Sequence, residues 1–141
     1  VFKPRQKREN LNIKLEINQW TIDRVKESAF LGVILDENFS WKPHIANIAR
    51  KVSKSISIIH KASLCLSTST LCTFHNSLVY PYFLYCIRVW GSTYPSILKR
   101  TVLLQTKVVR IISRSTFHAH TEPIFKQYIS ISNGKYHIFV R

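Results

Sequence analysis

Phe30-Leu-Gly-Val-Ile-Leu-Asp-Glu-Asn-Phe-Ser-Trp-Lys-Pro-His-Ile45 is the stretch on which the reading of this chain turns. Its first half, Phe30 to Leu35, is an apolar run that reads as the end of a strand beginning near Val25. Gly32 interrupts that run, and a glycine inside a strand marks a bulge or a close approach of another backbone. Asp36-Glu37-Asn38 is a polar turn expected to face solvent. Ser40 is placed to cap a helix, with Pro43 in its first turn, where a missing N–H costs nothing. A strand, a turn and a capped helix start therefore fit into sixteen residues.

The chain changes character on either side of this stretch. Upstream, Leu11-Asn-Ile-Lys-Leu-Glu-Ile17 alternates with period two, as a half-buried strand does. Asn18-Gln19 is a two-residue turn and Trp20-Thr-Ile22 a returning strand, so residues 1–38 form the edge of a small antiparallel sheet. Downstream, the pattern is helical. Ile45, Ile48, Val52, Ile56 and Ile59 make one narrow stripe over 41–63, with Arg50, Lys51, Lys54 and Lys61 opposite. Leu64 to Ser69 is a break in which Ser67, Thr68 or Ser69 caps the next helix. Residues 68–90 are apolar nearly all round, which predicts a central helix, kinked or split at Pro81 and ended by Gly91. A further helix over 95–114 sets Leu98, Val102, Val108, Val109 and Ile112 against Lys99, Arg100, Lys107, Arg110 and Arg114. Thr121 caps a short helical segment, and 129–141 stays unassigned. The fold class is α+β: a small antiparallel sheet edge at 1–38, then a mainly helical bundle at 39–128.

Charge follows the same border. Residues 1–40 hold seven basic and six acidic side chains, whereas residues 41–141 hold fourteen basic side chains and one acid, Glu122. A folded region of that composition repels itself unless an anionic partner offsets the field, and nucleic acid is the first choice ahead of an anionic membrane. Surface helices ordinarily mix signs. Here two helices each carry an all-basic face, and side by side they would join nine cations into one patch.

Several chemistries find no support. Two-metal phosphoryl transfer needs clustered carboxylates, and the only adjacent acids are Asp36 and Glu37. There is no glycine-rich phosphate loop and no nucleophile–base grouping at local spacing. His118-Ala-His120 lacks further ligands nearby. Cys65, Cys72 and Cys86 are widely spaced and odd in number, which predicts buried thiols rather than disulfides or a metal site. The most apolar window, Leu71 to Trp90, is interrupted by His75, Asn76, Pro81 and Arg88, so no membrane span is expected. The chain begins at Val1 and holds no methionine, which leads us to expect a piece of something longer, and the unpaired thiols lead us to expect an intracellular protein, of nucleus or cytoplasm.

These residues also resemble a family. Phe30-Leu-Gly-Val-Ile-Leu-Asp36 with Trp41-Lys-Pro-His-Ile45 is similar to the end of the palm and the start of the thumb in reverse transcriptases of non-LTR retrotransposons of the jockey/RTE/CR1-like LINE group. Ser77-Leu-Val-Tyr-Pro-Tyr82, then Tyr85-Cys86 with Val89-Trp90-Gly91, resemble later motifs of that group in the same order. Leu104-Gln105 through Lys107, Arg110-Ile-Ile112, and His120-Thr with Pro123-Ile-Phe125 continue the series, so the resemblance spans roughly 1–128. Arg88 and residues 129–141 depart from it. The resemblance implies that Phe30, Leu31 and Gly32 occupy a primer-grip position and that the helices form a thumb tracking a template–primer duplex of RNA and DNA, and Lys42 joins the residues expected to bind nucleic acid. It further implies that the catalytic Tyr/Phe-Ala-Asp-Asp box and its Mg ions belong to palm and fingers upstream, as partners in the same polyprotein. No catalytic residue, metal ligand or cofactor is then expected on this chain. The competing expectations are a standalone basic helical module that binds nucleic acid or anionic membrane, and a remnant without function.

Overall fold

The computed structural model describes residues 15–115 together with 120, 122, 123, 125 and 126. The chain divides into two units, Val1–His44 and Ile45–Arg141.

In the first unit, β1 (Leu15–Ile17) pairs antiparallel with β2 (Trp20–Ile22), Ile17 opposite Trp20 and Leu15 opposite Ile22. Asn18 and Gln19 close the pair with φ of 48° and 70°. Two positive φ values in a two-residue loop suit the right-handed twist of the flanking strands. The expected turn is therefore present, but the expected half-burial is not: Leu15, Ile17, Trp20 and Ile22 are all exposed. Residues 11–14 of that expected strand lie outside the described residues.

The run from Val25 to Leu35 is a second hairpin rather than one strand. Here β3 (Glu27–Phe30) pairs with β4 (Val33–Asp36), Phe30 opposite Val33 and Glu27 opposite Asp36. Leu31 and Gly32 form its turn at φ of 47° and 78°. A continuous apolar run carries no change of period to announce a reversal, and that is why Gly32 reads as a bulge from sequence. Its real use is the left-handed conformation that glycine adopts without steric cost. The hairpins are separate two-stranded sheets, not one sheet edge.

Asp36 corrects a further expectation. It is buried rather than turned to solvent. Its two carboxylate oxygens accept from the amides of Ser40 and Trp41, both at 3.1 Å. Ser40 Oγ accepts from the Lys42 amide at 3.4 Å, so the expected Ser40 cap is a minor partner to Asp36. Phe39 and Trp41 lie at φ of 47° and 61°, where side chains are strained, and Asp36 grips the backbone between and beside them.

The helices start with α1 (Lys42–Ala62), whose buried side is Ile45, Ile48, Ala49, Val52, Ile56 and Ile59, as the periodicity requires. Ser67 caps α2 (Thr68–Leu78), its Oγ accepting from the Thr70 amide at 3.3 Å. The region expected as one kinked helix is three: α2, α3 (Tyr80–Leu84) and α4 (Ile87–Trp90). Pro81 starts α3 instead of bending a longer helix, since proline fits a first turn. Cys86, at φ 52°, makes the second break, and Trp90 Nε1 spans it by donating to the Tyr85 carbonyl at 2.8 Å. Nor is the region buried all round: Phe83 and Trp90 are buried, while Tyr82, Leu84, Tyr85 and Val89 are exposed. The final long helix, α5 (Pro95–Ile112), buries Val108, Val109 and Ile112. The same side carries the buried polar residues Thr101 and Gln105, while Val102 stays exposed at its margin. Thr101 is satisfied by its own helix, donating to the Leu98 carbonyl at 2.6 Å. Glu122, Pro123, Phe125 and Lys126 are helical, and Thr121, the expected cap, lies outside the described residues.

Two predictions follow from these contacts. Replacing Asp36 by alanine strips the acceptor from two amides and should cost about 1–2 kcal/mol in urea unfolding. Burial pushes the Asp36 carboxyl up, but hydrogen bonds from Ser40, Trp41 and Asn38 outweigh it, so the net pKa is lowered below 3.8. Its contribution is complete above that value and lost as pH falls through the lowered one. His75 behaves oppositely in origin, since burial holds its imidazole below 6.5 against a smaller opposing bond from Asn76. The unfolded chain then takes up the proton first, so stability falls as pH drops below about 6.5. Melting temperatures across that interval should show a shallower slope for His75→Gln than for the native chain.

Candidate nucleic-acid interface

The cations on α1 reach solvent because each lies opposite the isoleucine stripe. Arg50, Lys51, Lys54 and Lys61 are all exposed. Arg50 donates to Asn47 Oδ1 at 2.8 Å, one turn back, which orients its guanidinium along the helix. Lys51 Nζ sits 5.6 Å from the centroid of the Tyr82 ring on α3, a cation–π contact that keeps the charge at the surface. Lys42, at the first position of the same helix, is also exposed.

On α5, Lys99, Arg100 and Lys107 are exposed and Arg110 is half-buried. Arg114 follows the helix at φ 50° and donates from Nη2 to the Leu66 carbonyl at 3.1 Å, tying the end of α5 to the loop after α1. The ends of the two helices thereby flank an open cleft of about 910 Å³, with His60 and Leu64 on one side and Lys107, Arg110 and Arg114 on the other. A smaller hollow of about 340 Å³ shares His60 and Lys107 with it and adds Lys61. So four of the nine cations gather where α1 and α5 face each other. Arg50, Lys51, Lys54, Lys99 and Arg100 do not line either space. The sole carboxylate side chain in residues 41–141, Glu122, is engaged by Lys126 at 2.9 Å, which lowers its pKa.

In the first unit, Phe30 and Leu31 are exposed at the tip of the β3–β4 hairpin, beside Gly32. An exposed aromatic and leucine on a two-residue turn form a protruding apolar point.

Other expectations divide. Among the described residues no group of three or more His, Cys, Asp or Glu side chains is placed to hold a metal, and His118 lies outside them. Of the cysteines, Cys72 is buried, with its thiol pushed up by desolvation, and Cys86 is half-buried, but Cys65 is exposed. Among the described residues no helix is long and apolar enough to cross a membrane. Sequence reasoning passed over His60, Leu64 and Leu103. The first follows the buried Ile59, and the leucines resemble core residues until the packing of α1 and α5 leaves them on the cleft.

Comparison with known proteins bears on this arrangement. Over 101 residues, 69% of this chain, it is 28% identical to "Probable RNA-directed DNA polymerase from transposon X-element" of Drosophila melanogaster. Over 111 residues, 77% of this chain, it is 27% identical to "RNA-directed DNA polymerase from mobile element jockey" of Drosophila funebris. In sequence the chain is similar to the RNA-directed DNA polymerases of these two mobile elements. The matched regions span 11% and 12% of those two relatives. No family model and no solved structure matches the chain.

Proposed function

We propose that this chain is the palm-end and thumb portion of a non-LTR retrotransposon reverse transcriptase, holding a template–primer duplex through its phosphates. The observation that carries the reading is the pair of acid-free faces on α1 and α5. Phosphate oxygens are bound by point charges on protruding side chains, and duplex binding of that kind needs cations without interspersed carboxylates. Arg50, Lys51, Lys54 and Lys61 on α1, with Lys99, Arg100, Lys107 and Arg110 on α5 and Arg114 just after it, supply those charges. The similarity to two polymerases of mobile elements supports the choice of nucleic acid over an anionic membrane, and the apolar stripe of α1, from Ile45 to Ile59, is buried in the core rather than offered to lipid.

In this reading the β3–β4 tip supports the primer end. Gly32 lets a sugar–phosphate backbone come close, Phe30 and Leu31 pack against the terminal nucleotide, and Lys42 adds a charge nearby. The chain grips but does not polymerise. The sequence contains no adjacent pair of aspartates, so the carboxylates and Mg ions of nucleotidyl transfer are assigned to palm and fingers outside these 141 residues.

Binding of a primer–template to the chain should be independent of base sequence and strongly salt-dependent. With about five phosphates engaged, the slope of log K against log salt should be near −4.5, and Lys54→Gln or Lys99→Gln should each reduce it by about 0.9. A salt-insensitive affinity, or vesicle binding that depends on anionic lipid with no preference for duplex, would sink the reading.

A further inference from the structure

The cleft between the ends of α1 and α5 has a composition that phosphate binding alone does not require. Leu64 and Leu103 on its walls are 81% and 60% exposed. Ile111 adds to the same apolar lining. Around this lining stand Lys107, Arg110 and Arg114, with Lys61 in the adjoining hollow, and among the described residues no acid borders either space. We propose that this cleft is a docking site for an acidic amphipathic helix of a partner protein, its leucine-like side chains seated on Leu64, Leu103 and Ile111 and its carboxylates on the surrounding cations.

Four arguments favour that occupant. A helix laid in a groove presents apolar anchors at positions one turn apart with charges beside them, which is the pattern the cleft complements. A duplex meets proteins through phosphates on a convex polyanionic surface, and gains nothing from a concave apolar lining. The chain's own residues 127–141 carry Lys135 and Arg141 and no acid, so their charge does not match. Arg114 is already anchored on the Leu66 carbonyl, which holds its guanidinium at the rim and reduces the ordering cost of a new ion pair. The proposal stands on the cleft alone, whether or not the outer cations bind duplex.

The test uses the full chain and a labelled synthetic helix with leucines at i, i+4, i+7 and i+11 and glutamates between, followed by fluorescence anisotropy near physiological salt. Binding of the peptide should weaken about tenfold or more in the Leu64→Ser/Leu103→Ser double variant, and similarly when the peptide's leucines become serines. Both positions are solvent-exposed, and an unchanged melting temperature verifies that the fold is intact. Duplex affinity of the same variant should stay within about twofold, because its phosphate contacts are made by charges left in place. Lys107→Gln/Arg114→Gln should weaken the peptide, too. Equal peptide binding by the native chain and the Leu64→Ser/Leu103→Ser variant would overturn the proposal, showing a generic attraction of polyanions. An equal loss of duplex and peptide in the double variant would also overturn it, making the cleft part of a nucleic-acid surface. Absence of duplex binding with peptide binding retained would remove the polymerase reading and leave the docking site.

Discussion

The carboxylate of Asp36 is the constraint on which the local architecture depends. It ends β4 and holds the amides of Ser40 and Trp41 in one grip. Those amides belong to a segment in which Phe39 and Trp41 both take left-handed backbone conformations. Each such residue costs on the order of 1–2 kcal/mol, so the segment stays closed only while something compensates. Two charge-assisted hydrogen bonds are of the right size to do so. The Phe39 and Trp41 rings, 5.9 Å apart, add a contact that the sharp turn itself creates. After this turn α1 starts at Lys42, and along it the isoleucines from Ile45 to Ile59 in the stripe are buried while Arg50, Lys51, Lys54 and Lys61 reach solvent.

That phase matters because the second unit is built from very unequal charge. With one acid in residues 41–141, the surface cations cannot relieve one another through ion pairs. The structure holds several of them by other means. Lys51 rests over the Tyr82 ring, Arg50 leans on Asn47, and Arg114 reaches a backbone carbonyl. Each contact uses a neutral acceptor, so it stabilises the side chain without cancelling its charge. A cation held by a carboxylate must exchange one anion for another on binding, whereas one held by a ring or an amide oxygen keeps its full attraction for an incoming phosphate.

How much of this was legible in the sequence varies with the kind of signal. The stripe from Ile45 to Ile59 repeats over several turns, and α1 follows it closely. Asn18-Gln19, flanked by alternating residues, marks its hairpin. The β3–β4 reversal escaped because Phe30 to Leu35 is apolar throughout and its turn holds a leucine. The division of 68–90 escaped for a related reason: apolar residues on every side predict burial, but short helices separated at Val79 and Cys86 rotate Tyr82, Tyr85 and Val89 outward. Asp36 looked like a turn residue because its partners are backbone amides, which no sequence pattern displays. On α5, Thr101 and Gln105 occupy the buried side without disturbing the apolar count, so the pattern places the helix correctly while misjudging its margins.

The basic faces were readable as two separate features, and their relation was not. Nothing in the spacing of Lys61 or Lys107 says that they border the same hollow, because that depends on how the ends of α1 and α5 meet. The meeting divides the nine cations into a group lying along the helices and a group around an apolar cleft. The two settings differ physically. Along an exposed helix a lysine remains hydrated and screened, so it contributes mainly through counterion release and acts on any polyanion. Beside Leu64, Leu103 and Ile111 water is partly excluded once an occupant arrives, and each charge pair strengthens while its geometry becomes selective. One sequence of charges thus produces a tolerant surface and a discriminating one, and the difference between them arises from the leucines rather than from the lysines and arginines.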